Sequence, residues 1–185
     1  MTMTKELVEW SYEKRCQKAV ESLARNGFTA VYCPSGREAA EYIVAEAAEA
    51  ATIGFGGSLS VADLGVAASM KEMGKELLMH SAPGLSPDER RSVMRRQLTC
   101  DLFLAGTNAV TLNGWLVNID GNGNRVAALT FGPKKVLVVA GGQKVVADVP
   151  DAIRRIKSTV APRKIATRLK LTTANAGCSS SASLS

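Results

Sequence analysis

Ala51–Gly74, ATIGFGGSLSVADLGVAASMKEMG, runs from strand to glycine-rich exit to helix, and that order decides the fold class. Ala51 to Phe55 is short and apolar, as a strand buried on both faces is. Gly56-Gly57-Ser58-Leu59-Ser60 then reads as a turn, and Val61, Leu64, Ala68 and Met73 carry a helix to Gly74. The alternation continues in both directions. Upstream, Leu7, Val8, Tyr12, Cys16, Val20 and Leu23 keep helical spacing until Asn26-Gly27; Phe28 to Cys33 (FTAVYC) reads as a strand and Arg37 to Ala50 as an alanine-rich helix. Downstream, Glu76 to His80 reads as a strand, Ser86-Pro87-Asp88-Glu89 as a capped helix start, Leu102 to Leu104 as a strand, Lys135 to Ala140 as a valine-rich strand, and Val149 to Lys157 as a helix. Strands alternating with helices predict an α/β fold, a mostly parallel sheet with helices on both faces.

In such sheets ligands gather outside the carboxyl ends of the strands. Two loops are predicted to occupy that position. One is Gly54–Ser60, where Gly56 and Gly57 let a backbone approach an anion and Ser58 adds a hydroxyl; it matches neither the phosphate-loop nor the full dinucleotide pattern, and a plain strand-to-helix turn reads equally well. The other opens at Gly106-Thr107-Asn108, within GTNAVTLNGWLVNIDGNGNRVAALTFGPKK from Gly106 to Lys135. Asn113-Gly114 between apolar runs predicts a tight hairpin inserted in this Asn-rich segment. Asp120-Gly121 and Asn122-Gly123 follow, and a structural turn needs only one such pair, so the surplus points to a ligand site.

Asp120 is the candidate general acid or base, with Arg125 near enough to keep it ionised. Thr107, Asn108, Asn118, Asn122 and Asn124 are candidates for orienting hydroxyl or carboxylate groups, Arg125 for holding a carboxylate bidentately, and Lys134 for adding positive charge. His80, the single histidine, weighs more as a hydrogen-bonded structural residue than as a catalyst. Cys16, Cys33, Cys100 and Cys178 lie far apart, so neither a disulfide framework nor a zinc site is indicated, and the metal expectation is none.

The chain has 185 residues, 46% hydrophobic and 22% charged, and no apolar run long enough to span a bilayer. Its N-terminal residues lack the apolar core and cleavage site of a secretory signal, which makes the cytoplasm the expected location. The formal charge of +6 resides entirely from Asp151 onward, where seven bases (Arg154, Arg155, Lys157, Arg163, Lys164, Arg168, Lys170) face one acid. Without aromatic interleaving or a reader motif, that segment reads as a solvated helix with a basic end rather than as a nucleic-acid surface. Residues 1–170 are expected to form one domain and residues 171–185, including SSSASLS from Ser179 to Ser185, a disordered low-complexity tail.

Three blocks, GFGGSLSVADLG from Gly54, DLFLAGTNAVTLNGWLVNIDGNGNRVAALTFGPKKVLVV from Asp101 and DVPDAIRRIKSTVAPR from Asp148, resemble the LUD-domain, or lactate-utilisation, family over nearly all of residues 1–170. The resemblance implies a Rossmann-like fold related to ribose-phosphate isomerase, glucosamine-phosphate deaminase and the CoA-transferases, which hold sugar phosphates or acyl-CoA near glycine-rich loops. It implies a role in lactate or related organic-acid metabolism, with a small anionic metabolite as ligand. The alternative is a non-catalytic accessory subunit of an organic-acid oxidation complex; a second copy or such subunits are the expected protein partners. Two departures stand out. Thr111-Leu112-Asn113-Gly114 resembles the turn that carries the catalytic glutamate of CoA-transferases, but Leu112 cannot form an acyl-glutamyl intermediate. Where relatives are expected to bear a cysteine-rich tail, this chain has only Cys178, too few thiolates for an iron-sulfur centre, so the cofactor is left unspecified.

Overall fold

The structure, a computed structural model, describes residues 3–162. Parallel strands β1 (Thr52–Phe55), β2 (Glu76–Met79), β3 (Leu102–Gly106) and β6 (Lys135–Val139) form one sheet in the order β2-β1-β3-β6. Helices cover both faces, as the alternation of elements predicts. On one face α2 (Gly36–Glu46), α3 (Leu59–Ala62) and α4 (Val66–Glu72) bring Ile43, Val61, Val66 and Met70 against Ile53, Leu102 and Leu104. On the other face α5 (Pro87–Gln97) and α6 (Asn124–Thr130) bring Val93 and Ala128 against Phe103 and Ala105. Successive β3 residues thus serve opposite cores, which is why the whole strand is buried and apolar.

The predicted hairpin is present: β4 (Ala109–Thr111) pairs antiparallel with β5 (Leu116–Val117). It belongs to a second, three-stranded sheet, completed by β7 (Val145–Val146) parallel to β4 and covered by α1 (Met3–Arg25). Gly114 turns the hairpin with φ +79°, and an added Cβ would lie 2.5–2.7 Å from the Ser22 and Leu23 backbone of α1. Asn26 donates from its side-chain amide to the carbonyls of Asn113 and Gly114, each at 3.0 Å, and ties the same junction. Gly114→Ala is expected to cost about 1–3 kcal/mol through left-handed strain alone, with the clash against α1 added. Urea denaturation would register this as a lower midpoint at an unchanged slope.

Two local expectations need correction. Phe28–Cys33 forms no strand, because β-forming residues need a neighbouring ladder and this segment joins neither sheet. Instead Phe28 N–H bonds Leu23 O to close α1, and Phe28 and Val31 stay about half exposed. The helix expected from Val61 to Gly74 is two helices, broken at Gly65, whose φ of +67° leaves the right-handed region. The segment after Asn122-Gly123, to which the sequence assigns no element, is a helix, α6. By contrast the Ser86 capping box is formed in full, Ser86 Oγ accepting from Glu89 N–H and Glu89 accepting from Ser86 N–H. No helix among the described residues is long and apolar enough to cross a membrane. The expected tail at 171–185, with Cys178, and the basic residues Arg163, Lys164, Arg168 and Lys170 lie outside the described residues.

Candidate functional site

All four parallel strands end on the same side of the first sheet. β2 exits at His80, β1 at Gly56-Gly57-Ser58, β3 at Gly106-Thr107-Asn108, and β6 at Gly141-Gly142, followed by a single turn that reaches Lys144. β1 and β3 are neighbours, so their exit loops meet. An added Cβ at Gly56 would lie 3.1 Å from Ala105 Cβ and Phe103 Cζ and 3.3 Å from Arg125 Cγ. An added Cβ at Gly106 would overlap Ser58 Oγ and lie 3.4 Å from Lys144 Nζ. Glycine at these two positions is what lets three strand exits and α6 converge.

The Asn-rich segment is organised around Arg125, which is 9% exposed. Its Nη1 donates to Gly106 O at 2.8 Å and Asn118 Oδ1 at 2.7 Å; Nη2 donates to Asn108 Oδ1 at 3.1 Å and Ile119 O at 3.0 Å. Nε lies 4.0 Å from Asp120 Oδ2. Asp120 Oδ2 in turn accepts the backbone N–H of Arg125 at 2.9 Å and of Val126 at 3.1 Å, capping α6 from outside the usual N-cap position, which is Gly123. Asn108 and Asn118 also brace each other's backbone: Asn118 Oδ1 accepts Asn108 N–H at 3.3 Å and Asn108 Oδ1 accepts Ile119 N–H at 2.8 Å. Thr107 Oγ1 donates toward Ala109 O and Val117 O, fastening the start of the hairpin. Burial lowers the Arg125 pKa from its ordinary value and the Asp120 charge opposes the shift. The surplus of side-chain oxygens thus satisfies one buried guanidinium, whose fork of donors calls for several fixed acceptors.

Gly57, with φ +68°, packs beside the His80 ring, an added Cβ lying 3.4 Å from Nε2. His80 Nδ1 is 3.1 Å from Gln97 Nε2, which also donates to the Phe55 and Leu78 carbonyls at 2.9 and 2.8 Å. Burial pushes the His80 pKa down, so the ring is neutral at pH 7. Cys100 is buried among the Gln97 and Leu102 carbonyls, and burial raises its thiol pKa, consistent with a packing role.

Lys144 is a residue that sequence reasoning missed. Burial first, and then the guanidiniums of Arg155 and Arg125, lower its pKa from the ordinary lysine value. Among the described residues its Nζ has neither a carboxylate nor a hydrogen-bond acceptor, yet it sits at Gly106 across from Ser58. A legible signal existed: Gly141-Gly142 follows a valine-rich strand just as Gly56-Gly57 follows β1. Arg155 is also not the solvated base expected; Nη1 donates to Asn108 O at 2.6 Å and Nε to Gln143 O at 3.2 Å, which pins α7 (Val149–Arg155) to the same loops.

Two candidates fall away from this convergence, whereas Asn124 opens α6 next to Arg125. Asn122 is exposed on the turn before α6, beside a surface hollow shared with Arg90 and Arg91. Lys134 stands at the opposite, amino-terminal end of β6, where Nζ pairs with Asp101 at 2.7 Å. Asp101 Oδ2 also accepts the N–H groups of Ala51 and Thr52 and the Thr52 hydroxyl, joining β1 to β3. The Lys134 ammonium and the Thr52 donors hold the Asp101 carboxyl well below the usual carboxylate range. Because the folded pKa is the lower one, this stabilisation is complete above the unfolded value of about 4 and is lost as pH falls from there through the folded value. Asp101→Asn is therefore expected to lower the melting temperature at neutral pH by more than it does in acid, and an equal loss at both would contradict it. The other hollow, lined by Ala40, Val44, Leu64 and Val66 between α2 and α4, is apolar and remote from the strand exits.

Comparison with known proteins gives one family: a model described as the LUD domain matches residues 16–185. No curated protein and no solved structure matches the chain.

Proposed function

The chain belongs to the LUD-domain family, and from that premise we propose that it serves lactate or related organic-acid utilisation by binding a small anionic metabolite outside the carboxyl ends of β1, β3 and β6. The observation that carries this reading is Lys144: a partly buried ammonium without a counter-charge among the described residues, bordering Gly106 as Ser58 does. A cation held there at an electrostatic cost is stabilised when an anion arrives. Gly56 and Gly57 let the β1 exit pack closely on β3 and His80, Ser58 supplies a hydroxyl, and Lys144 supplies the charge. Thr107, Asn108, Asn118, Asp120 and Arg125 act as positioning residues, fixing the loop that carries Gly106. Neutral His80, beside Gly57, offers a ring nitrogen to the ligand's uncharged end.

The test is a thermal-shift and calorimetric titration of the full chain with lactate, pyruvate, ribose 5-phosphate and a nicotinamide dinucleotide. A ligand at about 100 times its dissociation constant adds about 2.7 kcal/mol to folding stability. One chemical class is expected to stabilise the protein, and Lys144→Met to abolish most of that effect. Stabilisation by none of them would favour the accessory-subunit alternative and direct attention to partner capture.

A further inference from the structure

Resting on that reading, we propose that Lys144 Nζ is a nucleophile that forms an imine with a carbonyl compound bearing an anionic group, bound beside Lys144 outside the carboxyl ends of β1, β3 and β6. Three features distinguish this amine from a simple counter-charge. It has no ion-pair partner among the described residues, whereas Lys134 and Lys135 pair with Asp101 and Glu46. It shares its surroundings with two guanidiniums held by other contacts, Arg125 on Gly106, Asn118, Asn108 and Ile119, and Arg155 on Asn108 and Gln143. Burial and those two charges together make its ammonium easier to deprotonate than that of an exposed lysine, which is the step that frees the lone pair. A lysine desolvated beside other cations is the usual way a protein prepares an amine for carbonyl chemistry.

The step balances without a co-reactant. The Nζ lone pair attacks the carbonyl carbon, the C=O π electrons move to oxygen, and a proton passes from nitrogen to that oxygen to give a carbinolamine. Ser58 Oγ, which borders the same glycine, is the hydroxyl available to relay that proton. Loss of the oxygen as water forms the C=N bond, and hydrolysis reverses it. The positive surroundings select a substrate whose carbonyl carries a carboxylate or a phosphate. Lactate, with no carbonyl, is excluded from the reaction though not from the site.

The experiment incubates the full chain separately with pyruvate, ribose 5-phosphate and lactate, adds sodium borohydride, and locates any adduct by peptide mass spectrometry. A single reduced adduct on Lys144 with pyruvate identifies a 2-oxo carboxylate, and one with ribose 5-phosphate a sugar phosphate; lactate gives none. Lys144→Arg, which keeps the charge and the fold but not the nucleophile, is expected to lose the adduct. Thermal-shift binding with no adduct on Lys144, or an adduct spread over surface lysines and unchanged in Lys144→Arg, overturns the imine and leaves the anion site standing. Absence of both binding and adduct overturns both.

Discussion

Arg125→Ala is expected to destabilise the protein by about 3–5 kcal/mol, the cost of breaking a buried charge out of its pair and leaving its acceptors unpaired. Five groups lose a partner at once: the carbonyls of Gly106 and Ile119, the side-chain oxygens of Asn108 and Asn118, and the Asp120 carboxylate. Of these, Asp120 keeps its bonds to the α6 amides, Asn118 Oδ1 keeps Asn108 N–H and Asn108 Oδ1 keeps Ile119 N–H. Arg125→Lys is expected to recover little, since one ammonium cannot reach acceptors spread across a planar fork. Denaturant titration measures the loss. A change within about 0.5 kcal/mol, the range of ordinary surface substitutions, would show that the network is ornamental.

Gly106→Val has its largest effect on binding. The valine side chain takes the space between Ser58 Oγ and Lys144 Nζ, where an added Cβ already meets both. Losing one charge-assisted contact, at about 1.5–3 kcal/mol, corresponds to an affinity lower by about 10- to 100-fold. Gly106 ends β3 without a left-handed φ, so the stability loss comes from overpacking against the Ser58 side chain and is expected to be about 1–3 kcal/mol, smaller than in Arg125→Ala. Calorimetry on the folded variant separates the two effects, and wild-type affinity in Gly106→Val would move the ligand elsewhere.

How much of this was legible follows residue types. The parallel sheet was readable because buried apolar strands alternate with capped or alanine-rich helices, and the Asn113-Gly114 hairpin because its turn chemistry is local. Phe28–Cys33 misled because strand formation depends on a partner, which composition does not reveal. Helix α6 was hidden because it is seven residues long, starts after a left-handed Gly123, and takes its cap from Asp120, four residues before its first residue. The chemistry was half visible. Asn108, Asn118, Asp120 and Arg125 stood out as a group, and they do meet around one guanidinium, but sequence cannot tell acceptors that face a ligand from acceptors that face an arginine. Lys134 and Lys144 look alike in the chain; only the direction of β6 assigns one to each end of the sheet.

The central claim, that the carboxyl ends of the parallel strands form the ligand site, is tested most directly by an amide-resolved NMR titration with pyruvate. Concentration-dependent shifts are expected at Gly57, Ser58, Gly106, Thr107 and Lys144, with Lys134 and the Arg90–Arg91 surface unmoved. Shifts confined to Arg90, Arg91 and Asn122, or to the hollow between α2 and α4, would contradict it.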